Sequence, residues 1–249
     1  MSLLREPTPR AAASGEPVAP PGGSVASRVD RLALVAIELS HLRRLGSARV
    51  AVAAAGAVAL AFGVAVVVAR SEGGASASFA SILRASARAS AWLVGVPLAL
   101  AASRDREAAE RADGIEALAA ARGASREALA SARGASAIVL GARALGIPVL
   151  VVGFVAVAAS GTLRAAIGNA AAALAAFAFA LVAGVTLGAI GAASVRLAGA
   201  RSRSLLALVV IAPWLAADLA GRSAYSIPGA LGALLSVLMS LAGVGGGAP

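Results

Sequence analysis

The chain has 249 residues, of which 59% are hydrophobic and only 14% charged, against about a quarter charged in soluble domains; with a mean hydropathy of +0.87, this argues for an all-α, polytopic membrane protein. All 22 basic residues are Arg, Cys is absent and His41 is the only His, which excludes a Lys-containing P-loop, Cys or His zinc sites, Cys nucleophiles and His-based triads. The formal net charge of +10 comes with 3% aromatics and with Arg placed mainly between apolar runs, a pattern of membrane topology and not of nucleic-acid binding.

Residues 1–27 carry five of the ten Pro among Ala, Gly, Ser and Glu, and read as a disordered cytoplasmic tail. The remainder, 28–249, reads as one transmembrane domain. From Ser27 to Leu45, Leu32, Val35, Leu39 and Leu42 recur at helical spacing while Arg31, Glu38, Arg43 and Arg44 supply a polar side, predicting an interfacial helix with His41 exposed on it. The first span is expected over Ala48–Ala69, closed by a polar turn at Arg70, Glu72, Gly73 and Gly74. A second helix is expected over Ser78–Ala102. Arg84 and Arg88, one turn apart near its start, either snorkel to the membrane surface or line a substrate path.

Residues 103–133 hold six Arg and six acidic residues, so this stretch must lie in water. Third to sixth spans are expected over Ala135–Ser160, Leu163–Val195, Ser204–Ala220 and Ile227–Val244. Pro213 and Pro228 leave open whether 204–244 forms two full spans or a partly re-entrant hairpin. Gly184 and Gly188, four apart in the fourth span, suggest close helix packing. Asn169 in that span and Arg143 in the third are covered by interhelical hydrogen bonding and by snorkelling toward the cytoplasm. Asp218, the only acidic residue an ion-coupled carrier could use in the membrane and four residues before Arg222, reads as a local ion pair or an interfacial solvated carboxylate.

The Arg distribution sets an orientation. The tail and first helix to Arg49 hold seven, the polar stretch six and the 195–204 loop three, against five on the other side even if Arg84 and Arg88 snorkel there. The rule that translocated loops avoid Arg then places both termini in the cytoplasm, and a bacterial inner membrane is the expected location.

The polar stretch carries the functional signal. Glu110, Gly114, Glu116, Leu118, Ser125, Arg126, Leu129 and Arg133 fall in one ungapped register of 24 residues. Together they resemble the cytoplasmic segment between the second and third spans of ABC type-2 transporter permeases. The sequence departs from that pattern at Ile115, where Thr is common, at Glu116, which follows the Gly by two residues instead of three, and at Gly123, where Pro is usual. The interfacial helix, six spans, cytoplasmic termini and length match the same family, so the resemblance covers roughly 28–249.

The resemblance implies a permease subunit of an ATP-driven exporter, paired with a second permease copy and with a separate ABC ATPase that holds the ATP and Mg. This chain would bind no cofactor or metal and catalyse no covalent step. Glu110, Gly114, Ile115, Glu116, Leu118, Ser125 and Arg126 would form the coupling segment, with Ile115, Leu118 and Leu129 as apolar anchors and Gly114 allowing the turn. Read without that family, the segment is a solvated loop helix. Two rivals remain: a carrier not driven by ATP and a structural subunit of a membrane complex. A CDP-alcohol phosphotransferase reading is imitated by Glu110, Asp113, Gly114 and Ala117, but Leu118 stands where that pattern needs Arg, and no later Asp pair follows.

Overall fold

A computed structural model describes residues 26–73, 76–104, 114, 125–219 and 226–243. Helices run in the order α1 (Ala26–Arg44), α2 (Gly46–Ser71), α3 (Ser76–Ala89), a π-helical turn (Ser90–Val94), α4 (Gly95–Ala102), α5 (Arg126–Ala158), α6 (Leu163–Ala198), a 3-10 turn (Gly199–Arg201), α7 (Ser202–Leu219) and α8 (Ile227–Leu241). No strand occurs among the described residues. The tail reading for 1–27 falls almost wholly outside them.

Four stretches are long and apolar enough to cross a membrane: Gly46–Ser71, Phe79–Ala102, Glu127–Ala158 and Leu163–Val210. The first two lie close to their expected bounds. The third helix begins at Arg126 instead of Ala135, because Ser125 caps it: its hydroxyl accepts from the backbone N–H of Ala128 at 3.1 Å, and Glu127 sits in the positive first turn. The fourth stretch is no single rod. Gly199, at φ +48, ends α6, and Leu187 shares a cleft with Leu206 and Val210, so α7 doubles back on α6. The end of the chain falls short of the expectation: α8 has 15 residues, about 22 Å at 1.5 Å per residue, against a hydrocarbon core of about 30 Å.

Prolines act according to position. Pro228 lies in the first turn of α8, behind the Ser226 cap, where its missing N–H costs no helical bond. Pro148 and Pro213 lie inside continuous helices. Pro97 follows the π turn, whose wider winding interrupts the regular helix directly upstream of the ring.

α6 is the central post, packed against α3, α4, α5, α7 and α8. Its contact with α5 is made by glycine. A Cβ on Gly141 would stand 2.4 Å from the Gly184 carbonyl oxygen, and one on Gly188 would stand 2.8 Å from the Ala137 oxygen. The Gly184 and Gly188 surface expected from sequence is therefore a backbone-to-backbone contact, extended by Gly191 against Ala99 of α4. Beside it, Leu145, Val149, Val152, Ala176 and Phe179 fill the core. At one end of the bundle, buried Asn169 of α6 donates to the Ala156 carbonyl of α5 at 3.5 Å, the interhelical bond expected for it, and to the Ser160 hydroxyl in the turn after α5 at 2.9 Å.

Candidate functional site

The two ends of the bundle differ in charge. Arg70 approaches Gly161, so the C-terminal ends of α2 and α5 share one end with Asn169. The opposite end gathers the α1–α2 junction, the end of α4, the start of α5 and the α6–α7 turn. There Ser202 donates to the Ser103 carbonyl at 2.5 Å and Arg196 Nη2 donates to the Ala130 carbonyl at 3.3 Å. Arg104, Arg133 and Arg196 line one small cleft with Leu42. Arg43, Arg44, Arg49, Arg201 and Arg203 lie at the same end, in or beside those junctions.

Arg104 and Ser125, which flank most of the segment singled out by the sequence, both lie at this Arg-rich end. Gly114 is exposed with φ +69, a left-handed conformation that only glycine adopts without strain, in keeping with the turn expected of it. Glu110, Ile115, Glu116 and Leu118 lie outside the described residues. Ser125 is the α5 cap. Arg126 opens that helix, with its side chain outside the described set. Leu129 is 7% exposed and packed inward, so it is a core residue and not an anchor presented to a partner.

Glu38 corrects the polar side assigned to α1. It is buried and forms an ion pair with Arg133 at 3.8 Å, joining α1 to α5. The signal was present in the sequence, because Glu38 lies three residues after Val35 and four before Leu42, on the apolar stripe. The stripe is buried only where α5 reaches it: Leu42 is buried and Leu39 half-buried, while Leu32 is exposed. His41 is exposed, as expected.

Arg84 and Arg88 lie beside the buried face of α3, which is formed by Phe79, Leu83 and Ala87 and continued by Ala91 of the π turn. Arg88 is exposed, whereas Arg84 is half-buried and its Nε atom is buried without a hydrogen-bond partner. Counted from Phe79, the start of the 24-residue span, they stand about 8 and 14 Å along an axis of about 36 Å. Snorkelling suffices for Arg84. Arg88 is about 4 Å from the middle of the span, where a guanidinium facing lipid is costly and points to a wet or protein-covered surface. Asp218 is in the last turn of α7 with its side chain outside the described residues, and Arg222 lies outside them altogether.

The sequence did not reveal a lateral groove between α2 and α5, lined by Arg43, Arg49 and Arg143. Only the helix pairing brings these distant positions together. Among the described residues no group of three or more His, Asp or Glu could hold a metal ion.

Comparison with family models, with curated proteins and with solved structures returns no match. Fold and composition define a class, an all-helical protein with four stretches apolar enough to span a membrane.

Proposed function

We propose that the chain is the membrane-spanning permease subunit of an ATP-driven exporter similar to the ABC type-2 class. After the four long spans, α7 and α8 would close the membrane domain as a hairpin whose last helix is shorter than a full crossing, in a bacterial inner membrane with both termini cytoplasmic. The observation that carries this reading is that Arg104 and Ser125, the described residues on either side of the coupler-like stretch, both lie at the Arg-rich end of the bundle. The Arg-rich end would be cytoplasmic by the positive-inside rule. An ATPase subunit that closes on nucleotide would push this segment, and α5, capped by Ser125 and tied to α1 by the Glu38–Arg133 pair, would pass the tilt to the spans.

The close glycine contact would make α5 and α6 move together. A second permease copy would cover the α3 face bearing Arg84 and Arg88, leaving the transport path between the copies. That arrangement removes Arg88 from lipid without requiring a partner within its own chain.

Two outcomes follow. A photo-crosslinking residue at Leu118 is expected to capture a P-loop ATPase in native membranes, with a yield that changes when ATP is trapped; absence of any ATPase adduct at Leu118 and Ile115 alike favours the carrier or structural-subunit reading. Replacing Arg84 and Arg88 together by Gln is expected to lower export by at least about tenfold while thermal stability in detergent stays within about 1 kcal/mol of wild type. A loss of stability with unchanged export per folded molecule would return both residues to a snorkelling role.

A further inference from the structure

The groove between α2 and α5 has a volume of about 710 Å³, within the size range of small-molecule sites, about 300–1,000 Å³. Its walls belong to two membrane-spanning stretches and include Val52, Gly56 and Ile147. Val52 and Ile147 are more than half exposed, so the groove opens sideways from the bundle. A Cβ at Gly56 would meet nothing within 4 Å, so glycine here leaves space and relieves no clash.

The polar part of the lining is cationic. Arg43 closes the last turn of α1 and Arg49 opens α2, on either side of the extended residue Leu45. Arg143 projects from the facing wall, halfway along Glu127–Ala158. All three are exposed, and none has a carboxylate partner among the described residues. Cations along an otherwise apolar slot that opens toward the membrane need an anion carried on an apolar body. A soluble phosphate satisfies the charge and leaves the walls uncovered, while a zwitterionic lipid brings its own cation.

We infer that this groove seats an anionic phospholipid from the surrounding leaflet, its phosphate held by Arg43, Arg49 and Arg143 and an acyl chain laid along Val52, Gly56 and Ile147. The inference is independent of the exporter reading, because it rests on the groove and its charges alone.

The test is lipid retention by the full-length protein. The purified chain is equilibrated in mixed micelles of equal dioleoylphosphatidylglycerol and dioleoylphosphatidylcholine, and bound lipid is read by native mass spectrometry. Wild type is expected to retain the phosphatidylglycerol at least about tenfold over the phosphatidylcholine, with the preference falling to parity in R43Q/R49Q/R143Q. Gly56→Leu fills the groove from an open position and keeps every charge. It is expected to lower retention of the anionic lipid about tenfold or more, which covers the case in which the triple variant misfolds. Equal retention of the two lipids by wild type overturns the proposal, as does undiminished retention by Gly56→Leu. Displacement of the lipid by millimolar inorganic phosphate would reassign the cations to a soluble anion. Because the chain has no Cys, single cysteines at Val52 and Ile147 report the other occupant: efficient disulfide crosslinking of copies through these positions in membranes would make the groove a dimer seam and overturn the lipid assignment.

Discussion

Gly141→Leu is expected to abolish recovery of folded protein, the largest effect of any single substitution in the bundle. The reason is geometric. Even the first added carbon would stand 2.4 Å from the Gly184 carbonyl oxygen, a backbone atom that no rotamer change can move, so α5 and α6 would have to separate along their whole contact. Overpacking costs about 1–3 kcal/mol where side chains can yield, and more where they cannot. Separating these helices would also loosen the core around Leu145, Val149 and Phe179. Gly141→Ala should show the same defect in weaker form. Gly63→Leu is the control, because a Cβ there meets nothing within 4 Å, and its unfolding temperature in detergent should stay within a few degrees of wild type. Equal stability of Gly141→Leu and Gly63→Leu would refute the close α5–α6 contact.

The second large effect concerns the coupling segment. If the proposed exporter reading holds, Glu116→Arg combined with Arg126→Glu is expected to weaken association with the proposed ATPase partner by at least about tenfold, because charges complementary across that interface would then be like charges. Membrane insertion should be unchanged, since the exchange leaves the net charge of this polar stretch as it was and an acidic residue at the first position of α5 suits the helix N-terminus. Pull-down of the ATPase against a constant amount of inserted permease measures this. Unchanged complex formation would reduce the segment to a solvated loop whose charges keep it out of lipid.

The course of the backbone was largely legible because apolar length and helical spacing carry it. α1, α2 and the α3–α4 span were expected within a few residues of where they lie, and the Gly184 and Gly188 surface followed from residue size alone. The misses share one physical cause, dependence on the neighbouring helix. The spacing of Glu38 already sets it on the apolar stripe of α1, but its partner appears only when α5 presents Arg133, and Leu129 reads as an exposed anchor until the early cap at Ser125 draws it into the bundle. The groove lined by Arg43, Arg49 and Arg143 joins residues far apart in sequence, and no local pattern announces it. The reversal at Gly199 and the short α8 show the opposite limit: hydropathy senses apolar content and does not by itself tell a full crossing from a shorter hairpin.

The most direct measurement is the composition and mass of the complex purified from native membranes in mild detergent. Under the proposed exporter reading, two copies of a permease chain with two copies of a P-loop ATPase are expected, a particle that loses its ATPase when Glu116 and Arg126 are reversed. Recovery of the protein without any ATPase, under conditions that keep a known ABC transporter intact, would contradict it.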